Sequence, residues 1–211
     1  MKYTLVAFDF DGTLADTLPW MESILHEVAE KFGFRKPDAE ERSRLRQHNA
    51  YEIMKALGIP IWKAPAILAF VRQAMEDAVP KVTLFPGVDA TLRAMHGAGA
   101  RLAVVSSNST ANVQRVLGPE LAALIADYAC GTDLFGKSAK MEHLLRDTRT
   151  EARRAILIGD EIRDIEAARK VGVDSGVVAW GYNREAALRE HAPDLVFSNV
   201  HELARSLLPA S

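Results

Sequence analysis

With 211 residues, 48% of them hydrophobic, the chain is long enough to bury a core of ordinary domain size and to carry an insertion besides. A formal net charge of −2 argues against the basic footprint of a protein devoted to nucleic acid or to a membrane surface. A single cysteine, Cys130, rules out an intramolecular disulfide and points to a reducing compartment, so a cytoplasmic location is expected, with Cys130 as a buried structural thiol.

Tyr3 to Asp9 is an unbroken apolar run, the pattern of a strand buried on both faces of a parallel sheet. It is interrupted by Asp9 and Asp11 and lacks the small-residue cleavage site of a secretory signal, and no stretch of the chain is long enough to span a bilayer. From Leu18, apolar residues at three- and four-residue steps predict a helix stopped by Gly33, followed by a charged helical segment over Asp38 to Leu57 and another over Ala64 to Val79. No buried strand is expected between Ala15 and about Lys81. After a turn at Leu84 to Val88, the pattern predicts a helix to His96, a strand at Arg101 to Ser106, a helix at Thr110 to Leu117 and a short strand at Ile125 to Cys130. A helix from Ser138 to Arg146, a strand at Ala155 to Gly159, a helix from Ile162 stopped by Gly172 and a strand at Ser175 to Ala179 follow. The tail repeats the alternation, with Asp194 to Phe197 as strand and Val200 to Leu208 as helix.

This alternation predicts an α/β fold, a doubly wound parallel sheet of the Rossmann-like kind, interrupted by an all-helical insertion after the first strand. Residues 1–14 and 83–211 are expected to form the core and 15–82 a helical cap. In such sheets the site lies beyond the carboxyl ends of the strands. Those ends carry Asp9 and Asp11, then Ser106-Ser107-Asn108-Ser109, then Gly159-Asp160-Glu161 with Asp164 beyond. Asp9 and Asp11, one residue apart in extended chain, face one side, while Phe8 and Phe10 pack away from it.

These are the parts of a phosphoryl-transfer site. A carboxylate can attack phosphorus and become an aspartyl phosphate, the role read for Asp9. A second carboxyl can protonate the leaving oxygen and later take a proton from water, which suits Asp11. Carboxylates around a phosphate call for a hard cation, and Mg²⁺ held by Asp9, Asp160 and Asp164 is the expected solution, with Glu161 a further acid beside them. The i, i+4 spacing of Asp160 and Asp164 places both on one helix face. The Ser106 hydroxyl and the neighbouring backbone N–H groups of Ser107 and Asn108 can hold phosphate oxygens, and Lys137, or its rival Lys140, can neutralise developing charge.

Taken together and in this order, the four pieces resemble the haloacid dehalogenase-like hydrolase superfamily. Asp9-Phe-Asp11-Gly-Thr-Leu14 resembles its first motif, Ser106 at a strand end its second, Lys137 in Phe135-Gly136-Lys137-Ser138 its third, and Gly159-Asp160-Glu-Ile-Arg-Asp164 its fourth. The resemblance spans the chain and implies a Mg²⁺-dependent aspartyl-phosphate mechanism in which the backbone carbonyl of Asp11 also binds the metal. The insertion looks like the helical cap of the phosphoglycolate phosphatase-like branch, although that branch has Lys-Pro where this chain has Lys137-Ser138. The presence of Asp11 favours a phosphatase over a dehalogenase.

Within the insertion, the polar cluster Leu45-Arg46-Gln-His48-Asn49 places Arg46 as a candidate substrate ligand, and Trp180-Gly181-Tyr182-Asn183 is expected to border the core site. The expected function is hydrolysis of a small phosphorylated metabolite by a monomer or homodimer with no nucleic-acid or membrane partner. A β-phosphoglucomutase-like phosphosugar mutase and a non-catalytic phosphate-binding regulator are the alternatives.

Overall fold

The computed structural model describes residues 2–131 and 136–208. In chain order its elements are β1 (Leu5–Phe8), β2 (Ala15–Asp16), α1 (Leu18–Phe32), α2 (Ala39–Leu45), α3 (Ala50–Ala56), α4 (Ala64–Ala78), β3 (Thr83–Leu84) and α5 (Val88–Gly97). There follow β4 (Arg101–Val105), α6 (Thr110–Ala122), β5 (Ile125–Ala129), α7 (Lys137–Thr148), β6 (Ala155–Gly159), α8 (Ile162–Val171), β7 (Asp174–Val178), α9 (Glu185–Glu190), β8 (Leu195–Phe197) and α10 (Val200–Leu207).

Six strands form one sheet in the order β5-β4-β1-β6-β7-β8, with parallel pairing throughout. The central strands read as continuous apolar runs because both faces are covered. Side-chain alternation sends Val6, Phe8, Leu102, Val104, Ile156 and Ile158 into one core. It sends Leu5, Ala7, Ala103, Val105, Ala155 and Leu157 to the opposite face, where they pack with Met141 and Leu144 of α7 and Ala167 and Ala168 of α8. Cys130 is half-buried against the first core.

Register sets the site. Phe8 stands level with Val104 on one side and Ile158 on the other, so β1, β4 and β6 release their next residues at one edge of the sheet. The chain leaves that edge and returns to it through a short antiparallel pair, Ala15 with Leu84 and Asp16 with Thr83. The α1–α4 segment is inserted between those two strands. The β2 strand lies where no buried strand was expected, because two residues are too short a run to leave a periodic signal.

The charged stretch over Asp38 to Leu57 is two helices rather than one. Asn49 breaks it by capping α3: its side chain accepts from Glu52 N at 3.0 Å, and the Glu52 carboxylate accepts from Asn49 N at 3.0 Å. The helix from Thr110 continues to Ala122 across a kink at Gly118, which has φ 73° and precedes Pro119. Helix α9 was not anticipated, since six residues offer little periodicity. No single helix among the described residues is long and apolar enough to cross a membrane.

Candidate active site

Beyond Phe8 the backbone leaves the ladder. Asp9 N still donates to Ile158 O at 2.7 Å, but Thr13, Leu14 and Ala15 N all donate to Phe10 O, which folds residues 10–15 into a turn. Gly12 sits in that turn at φ +78°, and a Cβ there would lie 2.2 Å from Asp160 Oδ2. Asp11 therefore reaches the site by a turn and not by strand alternation. Phe8 and Phe10 both enter the first core, anchoring the two acids from below.

Asp160 follows β6 directly, and Glu161, extended at φ −122° and ψ 154°, caps α8. This corrects the expectation of one helix face for Asp160 and Asp164. Asp160 ends a strand, Asp164 occupies the first turn of α8, and the two meet across the strand–helix corner. Asp164 Oδ2 accepts from Glu161 N at 3.0 Å, while its other oxygen pairs with Lys137. Asp160 is held by Thr13 Oγ1 at 2.7 Å and by Tyr182 N at 2.7 Å. Close packing of residues 180–183 makes this possible, since a Cβ on Gly181 would fall 2.1 Å from Asp160 Cβ. Asn183 completes the corner by accepting from Ile162 N at 2.9 Å and donating its backbone N–H to Asp160 O at 3.2 Å.

Lys137 opens α7 and is 5% exposed, with Nζ 2.7 Å from Asp9 Oδ2 and also against Asp164. Phe135, in the same expected motif, lies outside the described residues. Lys140, one turn on, donates instead to the backbone carbonyls of Ser106 at 2.8 Å and Gly131 at 3.2 Å. Of the two candidate lysines, the fold brings Lys137 to the carboxylates and uses Lys140 to brace the ends of β4 and β5.

Ser106 is buried at the end of β4, its Oγ accepting from Asn108 N at 3.1 Å. Asn108 Nδ2 donates to both Asp11 oxygens, at 3.2 and 3.1 Å, and its Oδ1 accepts from Ser109 N and Asn112 Nδ2. Ser107, Asn108 and Asp11 line a cavity of about 320 Å³ between the sheet edge and helices α1, α3 and α4. Arg46 lies elsewhere. Its Nε donates to Tyr182 O at 2.6 Å and its Nη2 to Gly181 O at 2.9 Å, joining the end of α2 to the loop that holds Asp160.

Burial and charge divide the carboxyls. Burial works to raise Asp9, but the Lys137 and Arg163 charges outweigh it and hold Asp9 below its ordinary value. Burial first, and the Asp9 charge second, push Asp11 up to about 6 against the hydrogen bonds of Asn108 and Thr17. Asp160 is raised well above its ordinary value by burial and by the charges of Glu161, Asp9 and Asp164. Burial also raises Asp164, although Lys137 opposes it. For Lys137 itself, burial is outweighed by Asp164 and Asp9, which raise it and keep it charged.

One oxygen from each of Asp9, Asp160 and Asp164 lies within 4.8 Å of the others, all three residues being buried. Asp9 Oδ2 faces the Lys137 ammonium as an ion pair at 2.7 Å. Three buried carboxyls, two of them raised by burial and by the charge of neighbouring acids, are a set of hard oxygen donors that fits a divalent cation.

Residues 6–178 match the family of haloacid dehalogenase-like hydrolases. The chain belongs to that family. It is 31% identical over 203 residues to the phosphoglycolate phosphatase of Synechococcus elongatus, covering 96% of each chain. Over 184 residues it is 27% identical to the tyrosine-protein kinase PtkA of Mycobacterium tuberculosis, covering 85% of this chain and 63% of that protein. The fold is shared with a predicted phosphatase from Clostridium acetobutylicum at a TM-score of 0.82 and 20% identity, over 98% of this chain and 99% of the other.

Two participants carried no assigned role in the sequence. Thr13 and Arg163 lie inside the quoted motifs, but their side chains differ from the carboxylates that draw attention there. A cation within the acidic run 160–164 was the available signal for Arg163, whose guanidinium pairs with Glu161 and faces the charges of Asp9 and Asp164.

Proposed function

We propose that this hydrolase is a Mg²⁺-dependent phosphatase acting on a small phosphorylated metabolite, in the manner of the phosphoglycolate phosphatases it resembles, through an aspartyl phosphate on Asp9. In this reading residues 1–14 and 83–211 form the core and 15–82 a cap, with β2 and β3 as its stem. The observation that carries the proposal is the division of labour between two neighbouring acids: Asp9 is held ionised beside Lys137, while Asp11 is pushed up to about 6 and lines the cavity.

The Asp9 carboxylate attacks phosphorus, the bond from phosphorus to the leaving oxygen breaks, and the Asp11 carboxyl gives that oxygen its proton. Asp11, now a carboxylate, takes a proton from water as the water oxygen attacks the aspartyl phosphate. The bond to Asp9 breaks, releasing inorganic phosphate and restoring both acids. A raised Asp11 suits both duties near neutral pH. Lys137 neutralises charge that builds on the phosphoryl oxygens, and the Ser106 hydroxyl with the backbone at Ser107 and Asn108 orients them. Bound by Asp9, Asp160, Asp164 and the Asp11 carbonyl, Mg²⁺ would supply the positive charge that lets a phosphate dianion approach this acidic cluster.

The test is phosphate release from a panel of phosphorylated metabolites, with and without Mg²⁺, for the wild type and Asp9→Asn. Metal-dependent turnover abolished in the variant is the expected result. No release from any ester would overturn the reading, and transfer of phosphate within a sugar, or from ATP to tyrosine, would replace it.

A further inference from the structure

We propose that the alcohol released by this enzyme is predominantly apolar, an alkyl or aryl group larger than two carbons, rather than a small hydroxy acid. The inference rests on the phosphatase reading, because it uses Asp11 to locate the leaving oxygen. Asp11 lines the 320 Å³ cavity, so the group that departs with its proton lies there.

The far wall of that cavity is built by the helical insertion. Trp20 and Met21 of α1, Ile53 of α3, and Ile67, Leu68 and Val71 of α4 face it. Arg72 alone among the lining residues of the insertion carries a charge, and its Nε is turned back to Leu68 O at 3.2 Å. The polar cluster of residues 46–49 that sequence suggested as a leaving-group ligand is engaged elsewhere: Arg46 clasps the 181–182 backbone, and Asn49 caps α3.

At the sheet edge, Asn108 is fully occupied by Asp11, Met75, Ser109 and Asn112. A carboxylate on the leaving group would meet isoleucine and leucine along the insertion wall. Of the two lining cations, Arg72 is turned to Leu68 O and Arg163 is paired with Glu161, so the transfer is costly for a charge. A methylene exchanged into the same wall gains about 0.8 kcal/mol, close to fourfold in an equilibrium constant. The volume, equal to roughly ten waters, leaves most of the cavity unfilled by a two-carbon group.

The experiment compares kcat/KM for methyl, propyl, hexyl and phenyl phosphate and for 2-phosphoglycolate. Dissociation constants of methyl-, propyl- and hexylphosphonate are measured alongside by calorimetry in Mg²⁺. Expected are a rise of about fourfold per methylene from methyl to propyl in both series, a preference for propyl phosphate over 2-phosphoglycolate, and a flatter series in Leu68→Asn and Ile67→Asn.

Flat series, or 2-phosphoglycolate preferred over propyl phosphate, would overturn the inference while leaving a phosphatase. Phosphonates that tighten with chain length when no ester is cleaved would support the apolar subsite and overturn the phosphatase reading instead.

Discussion

Lys137 Nζ lies 2.7 Å from Asp9 Oδ2 and also pairs with Asp164, so one buried ammonium serves the acid at the end of β1 and the acid on α8. Both carboxylates are about 1% exposed, and neither has a solvent shell to fall back on. Lys137→Met would strand two acids, and breaking a buried pair in this way costs about 3–5 kcal/mol. The expected outcome in urea denaturation at pH 7 is a loss on that scale, with phosphate release lowered by at least about 10²-fold. Lys140→Met, which removes contacts to the Ser106 and Gly131 carbonyls, is expected to leave measurable turnover.

The elevated Asp11 carboxyl gives a pH dependence with a definite sign. Its folded value, about 6, is above the ordinary 3.8, so the native state holds a proton that the unfolded chain has lost over that interval. Stability from this group is therefore present below about pH 4 and is lost as pH rises to about 6. Asp11→Asn removes the penalty, and urea denaturation in chelator should show the variant more stable than wild type at pH 7 by about 3 kcal/mol, with the difference shrinking toward pH 4. Turnover should be lost in the same variant. A variant no more stable at pH 7 than at pH 4, relative to wild type, would contradict the burial assigned to Asp11.

Cation binding should appear as stability. Burial and mutual repulsion raise Asp160 and Asp164, so a bound divalent ion relieves the native state specifically. At a hundred times its dissociation constant, Mg²⁺ should stabilise the wild type by about 2.7 kcal/mol, read as a rise in Tm over the chelated protein. Asp160→Asn should abolish most of that rise. An equal Mg²⁺ response in wild type and variant would remove Asp160 from the ligand set.

Gly181 tests the same corner by shape alone. A Cβ there would lie 2.1 Å from Asp160 Cβ, a contact that only movement of the loop or of Asp160 can relieve. Gly181→Ala is expected to cost about 1–3 kcal/mol, as overpacking does. Because the displaced group is a cation ligand in the proposed mechanism, the Mg²⁺-induced rise in Tm should shrink as well. Gly97→Ala, with open space around its Cβ and, like Gly181, no left-handed φ, serves as the control for losing a glycine without a clash.

The sheet and the acids were legible because their signals are local. Leu5–Phe8 and Ala155–Gly159 are buried on both faces, and apolar runs of that length have few other fates. Asp9, Asp11 and Asp160 fall where strands end, with Asp164 in the helical turn that follows, and strand ends are where such sheets place chemistry. What was not legible depends on contacts between distant segments. Nothing near Arg46 in sequence says that its guanidinium meets residues 181 and 182, and nothing near Asn49 other than Glu52 three residues on says that the helix restarts there. The choice between Lys137 and Lys140 likewise needed three dimensions, because the two differ by less than one helical turn and face different partners.

The Arg46 clasp links the insertion to the loop that holds Asp160, and it leads to a separate prediction. Arg46 donates to the Gly181 and Tyr182 carbonyls, its own carbonyl accepts from Arg184 N and Asn183 Nδ2, and Asn183 Nδ2 also donates to His48 O. The 181–183 loop that receives these bonds is the loop whose Tyr182 N fixes Asp160. Arg46→Ala removes two charge-assisted hydrogen bonds but leaves the backbone pairs, so a loss of about 1.5–3 kcal/mol in closing the insertion onto the core is expected. If closure precedes chemistry, that loss should lower kcat/KM by roughly ten- to a hundredfold for every ester alike. A change confined to one class of leaving group would instead make Arg46 a substrate ligand, the role its sequence neighbourhood suggested. Arg46→Lys, which keeps the charge but not the two-pronged reach, should recover only part of the loss.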